Sequence, residues 1–266
     1  ELELKDDFMF GLIMHDSKYV KPFLEMILKI KIRKVVYPQS QKSIDLSANA
    51  KAIRLDVYVE DDQNTVFNLE MQTSDNRNLP KRMRYYQGVI DLNILQKGQD
   101  YTKLKKSYVI FICTFDPFGE GRHIYTFCNT CQENTALTLD DDAVKIILST
   151  KGTMDDVSPE MKRILDYIDG KGASDKFTEE LEEAVRSARQ NERWRLDYMT
   201  LEYEYRQRYL EGKEEGLRKG EETGITKTRE RTIQKLHERG ESIQFIADIV
   251  ELDEEEVKRV IDALKL

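Results

Sequence analysis

The sequence predicts an α/β fold with a helical tail, and three observations carry that expectation. Residues 53–73, IRLDVYVEDDQNTVFNLEMQT, alternate apolar and polar on both sides of a polar turn, which is the pattern of a β-hairpin. Residues 108–114, YVIFICT, are a continuous run rich in β-branched and aromatic side chains, as expected of a strand buried on both faces. Apolar residues at helical spacing fill 4–30, 80–96 and most of the chain after Ser158.

The bulk numbers bound the rest. A chain of 266 residues suits one moderate domain with an appendage, or two domains. Charged residues make up 35% and hydrophobic ones 39%, a balance that implies long solvated helices around a modest core. No run of eighteen apolar residues occurs, so no membrane span is expected. The first residues lack a charged-then-apolar signal pattern, and the chain begins at Glu1 rather than at a methionine, which leaves room for residues ahead of it. Three cysteines are too few and too odd for a disulfide framework and favour a reducing, cytoplasmic setting. The net charge of −8 argues against a general nucleic-acid binder but leaves room for a local basic patch.

In chain order, residues 4–30 read as two helices. Phe8, Leu12, Ile13, Phe23, Leu24, Ile27 and Leu28 keep helical spacing, and Asp16-Ser17 is a cap and restart ahead of Pro22. Asp7 opens the first helix, where an acid suits the helix dipole. Residues 32–38 are a strand or the approach to one, and 39–51 are expected as loop. In the hairpin, Leu55, Val57 and Val59 alternate with Arg54, Asp56 and Tyr58. Across the turn, Phe67, Leu69 and Met71 alternate with Asn68, Glu70 and Gln72. Alternate residues share a face, so Asp56, Glu70 and Gln72 are expected together on the face away from the core. A turn centred on Gln63 sets Asp56 opposite Glu70, and directly opposed Cβ atoms lie about 5 Å apart. Two acids so placed repel unless a divalent cation lies between them. The alternative is a solvated face whose carboxylates splay into water.

Residues 73–78 form a polar connection, and Pro80 starts a helix that runs to about Gln96 and ends near Gly98. Met83, Tyr86, Val89, Ile90 and Ile94 are its apolar positions, and Arg82 and Tyr86, four apart, share a face. Residues 77–106 hold eight basic residues (Arg77, Lys81, Arg82, Arg84, Lys97, Lys103, Lys105, Lys106) against two acids, Asp91 and Asp100. This basic stretch is either a solvated helix face or a surface for phosphates. Beyond the buried strand, Asp116-Pro117-Phe118-Gly119 is a turn, and 122–129 and 144–149 read as strands. Cys128-x-x-Cys131 near His123 invites a zinc reading, but one such pair alone is a weak signal. Cys113 belongs to the core run.

Met161, Ile164, Leu165 and Ile168 begin the helical part, followed by a long run from Asp175 whose aromatic end (Trp194, Tyr198, Tyr203, Tyr205, Tyr209) packs on the sheet or on a partner. Gly212, Gly216, Gly220 and Gly224 recur every four residues, as either a helix edge for close approach or a charged linker. The last residues outline a helix-turn-helix with Ser242 as a cap. Its last helix opens on Asp253-Glu254-Glu255-Glu256, which would repel phosphate, so a protein-contact or oligomer role is expected there.

Taken together, KDDFMF (5–10), RLDVYV (54–59), FNLEMQ (67–72), LPKRMRYYQ (79–87), KGQDY (97–101), YVIFICTFDPFG (108–119) and the glycine-punctuated tail resemble the Rpn group of recombination-promoting nucleases and transposases in the PD-(D/E)XK nuclease superfamily. The resemblance implies a restriction-endonuclease-like mixed sheet flanked by helices, followed by a helical C-terminal tail. On that basis residues 1–155 are the nuclease-like core and 156–210 a helical extension packing on it. Residues 211–231 are then a charged helix or linker, and 232–266 a small helix-turn-helix-like tail. The implied activity is metal-dependent endonucleolytic hydrolysis of DNA phosphodiesters, linked to recombination or mobile elements. Asp56 and Glu70 correspond to the motif acids. They would hold Mg²⁺ with the Met71 carbonyl, Mn²⁺ or Ca²⁺ being substitutes, and Asp7 would be a further ligand from the first helix. Gln72 stands where the motif usually carries lysine; it keeps hydrogen bonding but no charge, and would position the attacking water. Lys81, Arg82, Arg84 and Tyr86 would form the DNA-binding surface, and the C-terminal helical region would join copies into a homo-oligomer. The competing expectation is a catalytically weak or inactive nuclease-fold protein that acts in DNA binding or oligomeric assembly.

Overall fold

The computed structural model describes residues 2–37, 43–44 and 53–264, so the loop expected over 39–51 lies outside the described residues apart from 43–44. The elements run α1 (Asp7–Met14), α2 (Ser17–Leu28), β1 (Val35–Val36), β2 (Ser43–Ile44), β3 (Ile53–Arg54), β4 (Val57–Asp61), β5 (Val66–Gln72), α3 (Leu79–Ile94), β6 (Ser107–Cys113), β7 (Ile124–Phe127) and β8 (Ala143–Ser149). Then follow α4 (Pro159–Ile168), α5 (Lys176–Gln190), α6 (Glu192–Glu238), α7 (Ile243–Val250) and α8 (Glu254–Leu264). The chain divides into two units, Glu1–Arg195 and Leu196–Leu266.

The first unit is built on a mixed six-stranded sheet in the order β1-β4-β5-β6-β8-β7. The hairpin register is the one centred on Gln63: Val57 pairs with Leu69, Tyr58 with Asn68, Val59 with Phe67 and Glu60 with Val66. Asp61 holds the turn by accepting from the amides of Gln63 (2.9 Å) and Thr65 (2.8 Å). Asn64 takes the left-handed conformation, φ 64°, which asparagine tolerates. β6 pairs parallel to both β5 and β8, while β7 lies antiparallel on the outer edge. Parallel neighbours need a crossover, and between β5 and β6 it is α3.

That crossover overturns one expectation. Both faces of β5 are buried. One carries Phe67, Leu69 and Met71 into a core with Phe10, Phe23, Leu24, Ile110, Ile112 and the α4–α5 pair. The other, expected to be wet, packs Tyr58, Val66, Val109 and Phe111 under Leu79, Met83, Tyr86, Val89 and Ile90 of α3. Glu70 and Asn68 therefore sit in the interior. An apolar stripe along α3 must cover something, and the polar-looking face of the hairpin is what it covers.

α3 also divides the basic stretch. Its 16 residues rise ~24 Å, about the span of the seven-residue β5, so it returns the chain to the end where Val66 starts. Ser107 pairs beside Val66 there. Lys97, Lys103, Lys105 and Lys106 thus gather at the turn end of the sheet, and Lys105 pairs with Glu60 at 2.7 Å. Lys81, Arg82 and Arg84, in the first turns of α3, stay at the Gln72 end.

In the second unit the glycine-spaced segment is helical throughout, inside α6, with Arg218–Glu222 (2.7 Å) and Lys219–Glu215 (2.6 Å) bridging successive turns. The end of α6 joins α7 and α8 around a small core of Ile233, Ile246, Ala247, Val250, Val257 and Ile261. Ser242 caps α7 by accepting from the Phe245 amide.

Candidate active site

The ladder between β4 and β5 stops at Val57, and Asp56 steps out of it. The step is held from both sides. The Asp56 amide donates to Glu70 Oε1 at 3.1 Å, and Asp56 Oδ2 accepts from the Met71 amide at 3.1 Å. The Gln72 carbonyl accepts from Thr114 on the β6 side. Backbone groups alternate sides along a strand, so the N–H and carbonyl of Met71 face the opposite side, where β4 has ended and Asp56 stands.

Glu70 is only 2% exposed. Burial raises its carboxyl well above the ordinary glutamate range, and the Asp56 charge pushes it further. A hydrogen bond from Asn68, the Asp56 amide and the Arg82 charge act in the opposite direction. Asn68 is wholly buried and donates its Nδ2 to Glu70 Oε1 at 2.8 Å and to the Val57 carbonyl at 3.3 Å. Sequence reading placed Asn68 on the right face and gave it no role, because a polar residue on a supposedly wet face needs none.

Arg82 reaches back from α3. Its guanidinium donates to Gln72 Oε1 and, at 3.1 Å, to the Tyr86 hydroxyl. It lies 5.2 Å from the Phe111 ring centroid and 5.5 Å from that of Tyr86, which gives the cation an aromatic seat. Burial, then the Glu70 charge, lift the Tyr86 phenol to about 12, so it stays a hydrogen-bond donor at neutral pH. Gln72 spends its own amide nitrogen on the Ser74 carbonyl at 2.6 Å. Lys81 and Arg84, three residues apart, share a different, exposed face of the helix. The four residues expected at DNA therefore separate into Arg82 with Tyr86 beside the acids, and Lys81 with Arg84 facing solvent.

On the other side α1 passes close. A Cβ on Gly11 would stand 3.2 Å from the Asp56 carbonyl oxygen, a tight contact that glycine avoids. Asp7, one turn earlier, is exposed, and its Oδ1 accepts from the Phe8 amide. Among the described residues no three His, Cys, Asp or Glu side chains converge as a metal group, so Asp7 is not drawn into a cluster with Asp56 and Glu70. Gly11 was missed because a glycine inside a short apolar helix carries no signal of what lies beside it.

The zinc reading dissolves on the same grounds. His123, 2% exposed, bonds Asp156 through Nδ1 at 2.9 Å, and the Cys131 thiol donates to Glu133. Cys128 is exposed. Gly152 packs so closely that a Cβ there would meet the His123 ring at 2.4 Å. The pair ties the start of β7 to the segment ahead of α4. We expect His123→Ala to lower stability by about 2–4 kcal/mol, since it opens a cavity and removes the Nδ1 partner of Asp156, leaving that carboxylate only the amide of residue 123. Cys128→Ser and Cys131→Ser should stay within about 0.5 kcal/mol of the parent. Thermal denaturation of the three variants checks this, and equal melting of all three would refute it.

A mixed sheet in which an acid-bearing hairpin leads through a crossover helix into a buried parallel strand is the architecture of the PD-(D/E)XK nucleases, a class that generally uses divalent metals. The family model for PD-(D/E)XK nuclease family transposases matches residues 5–148, more than half of the chain, and the chain belongs to that family. No curated protein and no solved structure matches it significantly. Membership in a nuclease family implies a protein that engages DNA. Among the described residues no helix is long and apolar enough to cross a membrane.

Proposed function

We propose that the protein is a divalent-metal-dependent DNA endonuclease of the Rpn kind, which hydrolyses phosphodiester bonds in recombination or in the movement of mobile elements. The observation that carries this reading is the burial of the Glu70 carboxyl directly against Asp56, with the Arg82 guanidinium close by. Two acids so placed are costly in a fold that does not use them. The donor set suits a small hard cation: two carboxylates and the Met71 carbonyl would hold Mg²⁺, with Mn²⁺ or Ca²⁺ as substitutes. When bound, such an ion supplies a polarised phosphate and an acidified water.

The chain's own residues do the rest. Arg82 offsets the charge that builds on the transferring phosphate, the part a motif lysine would take. Gln72 accepts from Arg82 and anchors to Ser74, so it aims the guanidinium rather than the water. Tyr86 holds the same guanidinium from the helix side. Lys81 and Arg84 meet the DNA backbone further out. Asp7, one turn before Gly11 on the helix that passes Asp56, would be a further carboxylate toward the ion.

Supercoiled plasmid provides the test. Wild type should nick it with Mg²⁺ or Mn²⁺ and stop with chelator, while Asp56→Ala and Glu70→Ala should be inactive. Equal cleavage by all three would mark a contaminant and sink the assignment. Gly11→Val should leave the melting temperature within a few degrees and slow nicking about tenfold or more, because small displacements of a reacting group are costly. Unchanged nicking would show that the α1 approach does not set Asp56.

We also propose that α6 joins two copies. Leu196, Tyr203, Leu210 and Leu217 are exposed and recur every seven residues, the spacing of one position in a heptad. Sedimentation should show a dimer that Leu210→Glu with Leu217→Glu dissolves; an unaltered mass would refute it.

A further inference from the structure

We propose that Asn68 is a positioning residue for the cation site: its side-chain amide fixes Glu70 Oε1 and Val57 together, which leaves Glu70 Oε2 for a cation shared with Asp56. This rests on the metal-site reading above and deepens it. Asn68 is 0% exposed, and its Nδ2 meets two acceptors, Glu70 Oε1 at 2.8 Å and the Val57 carbonyl at 3.3 Å. With two acceptors on one end, the orientation of the amide is determined: the flipped form would set oxygen against oxygen. Its Oδ1 then has no hydrogen-bond partner. A buried carbonyl without a donor is destabilising, and an apolar strand former would fill this site, between Tyr58 and Val109 in the sheet and under α3, without that cost. The fold does not need an amide here; the carboxylate does.

The geometry shows what the amide achieves. Both donors that reach Glu70, Asn68 and the Asp56 backbone, end on Oε1. Two donors on one oxygen restrain the rotation of the carboxylate and leave its other oxygen to a ligand. The second N–H of Asn68 holds the Val57 carbonyl, one residue from Asp56, so the same side chain registers the backbone that carries the second acid. Partners that orient a ligating group in this way typically change metal affinity 10–100-fold when removed.

Calorimetric titration with Mn²⁺ alone, alongside thermal melting of the metal-free protein, tests the assignment on wild type, Asn68→Leu and Asn68→Val. The expected result is a Kd weakened by about 10–100-fold in both variants, with metal-free melting temperatures equal to or above that of wild type. A Kd within twofold of wild type in either variant overturns the proposal. So does a Kd that weakens only together with a lowered metal-free melting temperature, which would assign Asn68 to the fold. If wild type itself takes up no Mn²⁺, the metal-site reading fails first and this inference falls with it, an outcome distinct from the other two.

Discussion

Glu70→Gln is expected to make the metal-free protein more stable and to stop it cutting DNA. Glu70 is buried against Asp56, and its folded-state carboxyl titrates well above the ordinary value of 4.5, first because of burial and then because of the Asp56 charge. Between 4.5 and the raised value, the folded chain keeps a proton that the unfolded chain has lost. The corresponding stability is fully present below about pH 4.5 and is lost as pH rises through the folded value. Glutamine keeps the oxygen that accepts from Asn68 and Asp56 and removes the charge. At pH 8 without divalent cation, Glu70→Gln should therefore melt above wild type, and the gap should close as pH approaches 4.5. Mn²⁺ should raise the melting temperature of wild type alone. Nicking should fall about 10³-fold, the order expected when several kcal/mol of transition-state stabilisation are lost. A variant that melts lower than wild type at pH 8 would contradict the placement of this charge.

Gln72→Lys is expected to slow the wild-type enzyme and to rescue Arg82→Ala. Arg82 already donates to Gln72 and lies over Phe111 and Tyr86. A lysine at position 72 would set a second cation against the first and push Arg82 from its seat, for a loss of about tenfold. Arg82→Ala alone removes the charge that meets the phosphate and should cost about 10²–10³-fold. With Arg82 gone, a lysine at 72 stands where the superfamily motif usually has one, and the double variant should recover at least tenfold over Arg82→Ala. Single-turnover cleavage of a short duplex at saturating Mn²⁺ reads all four proteins. Additive losses in the double variant would show that the two positions do not share one task.

The hairpin register was legible because two alternating runs and a polar turn leave little freedom, and the observed pairs centre on Gln63 as the pattern requires. What covered its polar face was not legible. Alternation says which side chains share a face, not whether a helix lies over them. The apolar positions of α3 do close over Asn68 and Glu70, and turn an apparent wet pair into a buried one. The basic stretch misled for a related reason. Lys97 to Lys106 are near Arg82 in sequence, but α3 carries the chain back along the sheet before β6 begins, so proximity along the chain became separation in space. Arg82 and Tyr86 were legible as a helix pair, since four residues is one turn. The partner of Gln72 was not, because it lies across the strand–helix connection.

The claim that Asp56 and Glu70 form one cation site is tested most directly by Mn²⁺ titration of wild type against Glu70→Gln, followed by calorimetry in the absence of DNA. Saturable uptake by wild type and at least a hundredfold weaker uptake by the variant are expected. Equal heats from the two proteins, or none from wild type, would contradict it.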